Sequence, residues 1–508
     1  MTVSQHTYVP YKGMITISVM LATVMQVIDT TIANVALPHI QGSISATQDQ
    51  ISWVLTSYIV ASAIMTPCTG WITENFGRKN ILLISIAGFT FVSLLCGIST
   101  SLGEIVAFRL LQGVFGAALV PLSQSILLDI NPKEKHGAAM ALWGLGVMIG
   151  PILGPTLGGY LTEYYSWRWV FYINLPIGII SFLGIYTFLA QDDIRHRPLD
   201  IFGFLTLSIA IGGLQLMLDR GEQADWFHSW EIIFYAGLIA ISFWMFLVHI
   251  FYVQHPFISI FMFQDRNFVT GIIFIFFVGI ILLATMALLP PFLQNIMGYP
   301  VVDVGLLLAP RGVGTMIAMI IVGKMTGKID PRFLITFGLM LTAFSLFEMT
   351  KFTTFVPVHL IISSGIIQGF GLGFIFVPLS AIAFATLPGS HRTEAAGFFS
   401  LMRNIGSSIG ISIVIALLSQ NAKINHAYLV EDITLYNKTH VIHSIAPKMV
   451  HNEKAALAVL NNEITKQAFT IGYINDFKFM MWMVIAIIPM VLLLRKQNRE
   501  EITKPIID

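Results

Sequence analysis

Long apolar stretches of about twenty residues follow one another along this 508-residue chain, and that single feature narrows the possible folds more than any other. A helix needs about twenty apolar residues to cross the hydrocarbon core of a bilayer, and its backbone polar groups must be satisfied within the segment. Fourteen segments meet that rule: 14–37, 51–72, 80–99, 104–128, 138–161, 168–189, 200–218, 230–252, 268–290, 303–323, 332–350, 358–387, 395–419 and 475–495. The fold class is therefore an all-α membrane protein. Hydrophobic residues make up 56% of the chain and charged residues 11%, too little polar surface to cover a soluble enzyme of this size.

Several function classes drop out at once. The net charge is +1, and the basic residues sit in short loops rather than on one stripe, so nucleic acid is not an expected partner. Cys68 and Cys96 both fall inside apolar segments and form no disulfide framework. No G-x-x-x-x-G-K-[ST] run occurs, so the phosphate cradle of an ATP-driven pump is missing; energy must come from an ion gradient or a partner. Nothing in the sequence calls for a metal or cofactor. Residues 1–13 are polar, and the segment after them is too long for a signal-peptide core and is expected to stay as the first membrane helix.

Loop charge predicts orientation. One side holds Lys12; Arg78 and Lys79; Lys133 and Lys135; Arg195 and Arg197; Arg266; Lys324, Lys328 and Arg332; Arg392; and Arg495, Lys496, Arg499 and Lys504. The opposite short loops hold only Arg168, Arg220 and Lys351. Both termini are thus expected in the cytoplasm. Residues 420–474 read as a long polar outer loop, which translocates regardless of its lysines. Within it Leu457, Leu460, Ile464, Ala468 and Ile471 recur at helical spacing. They predict an amphipathic helix that lies on its own protein or the lipid surface, or else docks a partner. Asn437-Lys438-Thr439 fits a glycosylation sequon that has no meaning in a bacterial cell.

The chain repeats itself. Gln112-Gly113 followed by Val120-Pro121-Leu122-Ser123 in the fourth span matches Gln368-Gly369 followed by Val377-Pro378-Leu379-Ser380 in the twelfth. Gly146-x-x-x-Gly150 in the fifth span matches Gly406-x-x-x-Gly410 in the thirteenth, and Gly70-x-x-Thr73 after the second matches Gly323-x-x-Thr326 after the tenth. Spans seven and eight have no counterparts. The predicted organisation is six helices at 1–190, two inserted helices at 191–267, and six helices at 268–508. Two halves in parallel repeat are one architecture of alternating access.

Charges inside the apolar spans are functional candidates by default. Asp29 lies deep in the first span. Burial favours the protonated carboxyl and a nearby cation the ionised one, so a proton and a cationic substrate could compete for it; the plainer role is hydrogen bonding between helices. Arg109 enters the fourth span at a similar depth and is the candidate partner, unless it snorkels to the headgroups. Its counterpart in the second half is Gly365, which confines any such device to the first half. Arg311 and Arg403 are also intramembrane and either face a central cavity or pair with helix-end carbonyls; Gln112 and Gln368 are further candidates for lining that cavity. Glu104 and Glu348 sit at span ends, where carboxylates are ordinary. Gly150, Pro151, Gly154, Pro155, Gly158 and Gly159 crowd the fifth span, giving a hinge and close packing that we expect between the halves. Trp53, Trp143, Trp167 and Trp169 read as interface anchors.

Taken together, these motifs resemble the major facilitator superfamily, and within it the fourteen-helix drug:proton antiporters of the EmrB/QacA type. The resemblance covers nearly the whole chain. It rests on Asp29-Thr30-Thr31-Ile32-Ala33-Asn34-Val35-Ala36-Leu37-Pro38, on the loop motif Gly70-Trp71-Ile72-Thr73-Glu74-Asn75-Phe76-Gly77-Arg78-Lys79, on Arg109-Leu110-Leu111-Gln112-Gly113, and on the antiporter motif Gly150 to Gly159. Leu218-Asp219-Arg220-Gly221 followed by Asp225-Trp226-Phe227, with the long outer loop, is similar to the EmrB branch.

That resemblance implies the major facilitator fold and proton-coupled efflux of hydrophobic or amphipathic compounds across a bacterial inner membrane. Asp29 would couple protons and Arg109 tune it, while Gly70, Glu74, Gly77, Arg78 and Lys79 latch the cytoplasmic gate. It also implies a periplasmic adaptor of the EmrA type and an outer-membrane channel as partners. Two positions depart from the family's loop motif: Glu74 replaces the usual Asp and Asn75 the usual basic residue, which puts the acid–base pairing inside that motif in doubt. A dedicated exporter of one metabolite, siderophore or fatty acid fits the same motifs. A non-transporting membrane sensor fits them less well.

Overall fold

The computed structural model describes residues 10–191, 194, 198–254, 256–431, 433 and 453–495. Thirteen of its described helices are long and apolar enough to cross a membrane, and a bent pair makes fourteen. We number them α1 Lys12–Ile44, α2 Trp53–Met65 with Thr69–Phe76, α3 Arg78–Ile98, α4 Leu102–Asp129, α5 His136–Tyr164, α6 Trp169–Phe188, α7 Ile201–Arg220, α8 Trp230–Tyr252, α9 Arg266–Ile296, α10 Val301–Met325, α11 Pro331–Met349, α12 Val358–Ala385, α13 Arg392–Glu431 and α14 Glu453–Ile487. The face where α1 begins is called proximal here, and the other distal.

The expected second span, 51–72, is not one straight helix. Its two pieces meet at 60°, because Pro67 has no amide hydrogen to donate and its ring excludes the preceding turn. Gly77 then takes φ +82° to end the second piece, a left-handed conformation that glycine adopts without strain.

The expected outer loop at 420–474 is corrected more heavily. Both flanking helices run into it: α13 continues for 40 residues to Glu431, and α14 starts at Glu453 and continues as a 3-10 turn to Leu493. The apolar stripe supplies the reason. Ala456, Leu460 and Ala468 are buried, with Ile433 and Ile464 packed against the first two, and α13 and α14 lie side by side. His426 Nε2 and Asn461 Oδ1 meet at 3.1 Å across that pair. The stripe therefore covers its own protein. The sequon at 437–439 and the basic residues Arg195, Arg197, Lys496, Arg499 and Lys504 lie outside the described residues.

Helix contacts in the first half recur in the second. The pairs α1·α5, α2·α4, α3·α4 and α3·α6 have the counterparts α9·α13, α10·α12, α11·α12 and α11·α14. Matched glycines make the matched approaches. A Cβ on Gly113 would stand 2.4 Å from the Tyr58 carbonyl oxygen, and one on Gly369 2.1 Å from that of Arg311.

The halves touch each other through α5·α10 and α2·α13, again with matched glycines. A Cβ on Gly70 would fall 2.8 Å from Glu394 Cβ, and one on Gly323 2.6 Å from Ala141 Cβ. Helix α7 packs on both α2 and α13, and α8 packs on α7. Asp200 ties α7 to α8, with one carboxyl oxygen 2.7 Å from His249 Nε2. Arg220 and Glu231 pair at their other ends.

Two further expectations fail. The glycines of the fifth span do not pack one half on the other: a Cβ on Gly150 would meet Val27 at 2.4 Å, and one on Gly154 would meet Thr31 Oγ1 at 2.1 Å, both on α1 of the same half. Gly158 faces Ile32 and Val35, while Gly159 has nothing within 4 Å. Pro151 is half-buried on the same helix, and α5 runs unbroken from His136 to Tyr164 across it and Pro155. Helix α5 instead reaches the second half with Gly137 and Gly144, against Thr326 and Met319. Trp143 is not an interface anchor either. It is fully buried, donates to Ser123 Oγ at 3.0 Å and stacks on Phe376 of α12 at 5.7 Å, so its indole nitrogen is satisfied inside the bundle. Trp167 is likewise buried.

Candidate functional site

The stripe of missing side chains on α5 draws α1 close, and Thr31 fixes the approach by donating to the Gly150 carbonyl at 3.0 Å. One turn of α1 then points Asp29 into the interior of the first half, where it is fully buried. An isolated carboxylate there would be prohibitively costly. Three donors from two other helices converge on it instead. Arg109 Nη1 is 2.7 Å from Asp29 Oδ2, Gln112 Nε2 is 3.0 Å from Oδ1, and Asn174 Nδ2 is 2.7 Å from Oδ1.

The donors are themselves held. Arg109 also donates to Gln112 Oε1 at 2.7 Å and from Nε to the Val54 carbonyl at 3.1 Å, and its guanidinium lies 4.3 Å above the Tyr58 ring. Ser93 Oγ accepts from Gln112 at 2.6 Å and from Asn174 at 3.1 Å. Gln26 Nε2 fixes the Tyr58 hydroxyl at 2.9 Å. Five helices thus meet at one ionised pair, whose hydrogen bonds are of the strong, charge-assisted kind. Arg109 does not snorkel: it is 1% exposed.

Sequence reasoning paired Asp29 with Arg109 but set Gln112 on a central cavity, whereas it is fully buried in this cluster, and it missed Ser93, Tyr58 and Asn174. The one usable signal was Asn174, an amide in an otherwise apolar stretch.

The second-half candidates do not join this cluster. Gln368 is buried and donates to Thr285 Oγ1 at 3.2 Å, while its Oε1 has no donor among the described residues. Buried Arg311 reaches the Leu282 carbonyl at 3.4 Å. Arg403 is half-buried on α13, with no side-chain hydrogen bond or ion pair among the described residues.

On the proximal face the halves are laced together. Arg78 pairs with Asp129 at the end of α4, and Arg392 of α13 takes the other oxygen of the same carboxylate at 2.6 Å. Ser125 and Thr393 hydroxyls meet at 2.9 Å, and Glu394 accepts from the Ser259 amide at 2.5 Å. Lys79 turns away and donates to the Tyr186 carbonyl at 2.9 Å. Glu74 lies half-buried on the short second piece of α2. The carboxylate that joins both halves is Asp129, which the sequence did not mark out.

The profile described as the Major Facilitator Superfamily matches residues 19–411. The chain is 35% identical over 500 residues to the fatty acid resistance protein FarB of Neisseria gonorrhoeae, covering 95% of this chain and 97% of that one. It is also 35% identical over 463 residues to the multidrug export protein EmrB of Escherichia coli K12, covering 90% of each. Among solved structures, the human organic anion transporter MFSD10 superposes with a TM-score of 0.58 at 14% identity, covering 94% of this chain and all of that one. The proton:xylose symporter XylE does so with 0.58 at 13% identity, covering 93% and 96%. These last two likenesses bear on the fold alone.

Proposed function

Because this chain belongs to the major facilitator superfamily, and so is a multi-pass membrane transporter rather than an enzyme, we propose that it exports hydrophobic or amphipathic toxic compounds in exchange for protons. The observation that carries the reading is the enclosed Asp29 cluster. Protonating Asp29 removes the charge that holds Arg109, and weakens the acceptor shared by Gln112 and Asn174. Helix α1 is then free to shift against α4 and α6. Since Asp29 has no exposed surface here, this favours coupling through helix movement over direct competition between proton and substrate at one carboxylate.

In this reading the halves at 1–190 and 268–508 rock about α5·α10 and α2·α13, with 191–267 inserted between them. Loop charge supports cytoplasmic termini and the kinship with EmrB supports a bacterial inner membrane, which makes the laced proximal face a closed cytoplasmic gate. The paired extension of α13 and α14 is then periplasmic, at the right place for an adaptor of the EmrA type leading to an outer-membrane channel. Fatty acids are a second substrate class, favoured by the 35% identity to FarB along nearly the full length of both chains.

The test uses everted vesicles with a preformed proton gradient, challenged in parallel with ethidium and decanoate. Wild-type protein should release protons on adding one of them, and Asp29→Asn should abolish that release. Unchanged coupling in Asp29→Asn would remove Asp29 from the mechanism.

A further inference from the structure

A carboxylate that this reading does not use lies in the second half. Asp476 on α14 is fully buried, and neither of its oxygens has a hydrogen-bond donor among the described residues. Its neighbours along the same buried face are aromatic and aliphatic apart from the Tyr473 hydroxyl, which makes no hydrogen bond to it. Tyr473 packs against Phe292 with ring centres 5.2 Å apart, and Phe477 against Phe352 at 5.9 Å. One turn on, Met480 Sδ lies 4.0 Å from Thr285 Oγ1, the hydroxyl that accepts from Gln368. Gln368 Oε1 lacks a donor too. Thr285 of α9 thus links α12 to α14, and on these two helices three buried oxygens, both of Asp476 and Oε1 of Gln368, have no donor among the described residues.

Charged groups on the packed helices are engaged elsewhere or stand apart. On α11, Glu348 pairs with Lys351 at 2.6 Å, and Arg332 lies at the proximal start. On α13, Arg392 holds Asp129, Glu394 accepts from Ser259 and His426 meets Asn461. Arg403 and Lys423 of α13, Arg266 of α9 and Tyr473 of α14 itself make no hydrogen bond or ion pair with Asp476 among the described residues. An ionised carboxylate in such a shell is strongly disfavoured. A metal cation would want several oxygen ligands, whereas aromatic rings and a thioether flank this group.

We propose that Asp476 is a proton-binding site of the second half, carried as the neutral acid while the proximal face is closed and emptied when α14 separates from α9 and α11. One O–H bond forms with a proton from water and the same bond breaks on release; nothing is oxidised or reduced. The proposal rests on the proton-coupled reading above and extends it. In the conformation described here the first half surrounds its carboxylate with donors, while the second leaves its own without one among the described residues.

Infrared difference spectroscopy of the purified protein in lipid nanodiscs tests this without a substrate. The carbonyl-stretch band of a buried carboxylic acid should be present in wild type and in Asp29→Asn, and lost in both Asp476→Asn and Asp476→Ser. It should bleach as the pH is raised from neutral into the alkaline range. A band unaffected by either Asp476 substitution would overturn the proposal, as would one that persists through the whole alkaline range, which marks a fixed structural acid. The vesicle assay separates the two readings. Coupling that survives Asp29→Asn sinks the Asp29 mechanism whatever the band does. Coupling lost in Asp29→Asn with no Asp476 band sinks only this inference.

Discussion

In the first half, Gln112 sits in a closed ring of polar groups: it accepts from Arg109, donates to Asp29 and Ser93, and the pair it bridges is fully buried. Gln368, at the matching place in the second half, reaches one hydroxyl and leaves its carbonyl oxygen without a donor among the described residues. The helices around the two glutamines make the same contacts, so the backbone repeat does not dictate the chemistry it carries. One half surrounds its carboxylate with three donors, with only Asn174 Oδ1 of that cluster lacking a donor among the described residues, and the other leaves both oxygens of Asp476 and Oε1 of Gln368 without one. Such an asymmetry gives a two-fold scaffold a direction.

The largest effect should come from splitting the ionised pair. Asp29→Leu or Arg109→Leu alone leaves an uncompensated buried charge and should cost about 3–5 kcal/mol, read as loss of folded protein in thermal unfolding in detergent. The double variant should recover most of that stability and none of the transport. Next comes the glutamine comparison. Gln112→Leu should destabilise by about 2–3 kcal/mol, because it orphans charged partners, and Gln368→Leu by about 1 kcal/mol or less; equal losses would erase the distinction between the halves.

A smaller effect sharpens the comparison rather than breaking it. Asn174→Asp places a second carboxylate beside Asp29, and like charges favour the protonated form of one. The pH profile of proton-coupled transport should then move alkaline by about one unit. Smallest of all, Asp129→Asn should loosen the proximal lacing by less than about 1 kcal/mol, since both ion pairs are partly exposed. The readout is faster labelling of a cysteine placed at Ser125 from the proximal side.

What the sequence made legible were charges stranded in apolar helices. Asp29 and Arg109 stand at similar depth and are candidate partners, with snorkelling as the alternative for Arg109, and the structure pairs them. Segment length and the glutamine-glycine repeat made the helices legible. Ser93, Tyr58 and Asn174 escaped because a small polar group in one helix acquires a role only when four others converge on it. Asp129 escaped because it sits at a helix end, where carboxylates are ordinary. The fifth-span glycines were read correctly as a close approach but assigned to the wrong neighbour, since a bare stripe does not say which helix will lie in it. The region after residue 419 reads as a polar loop holding one amphipathic helix; the helix is there and packs on its own protein, but polarity hides that both flanking spans extend into the region.

That paired extension is also a mechanical element. Helix α13 has 40 residues, about 60 Å at 1.5 Å per residue, against a hydrocarbon core of about 30 Å. With α14 alongside, it forms a stiff arm rooted in the second half. Each degree of tilt about the bilayer midplane becomes roughly 0.7 Å of travel at a tip about 40 Å away. A passenger seated on that tip would be levered through a stroke several times larger than the motion at the helix interfaces, and would sense which way the transporter faces without touching its transport path.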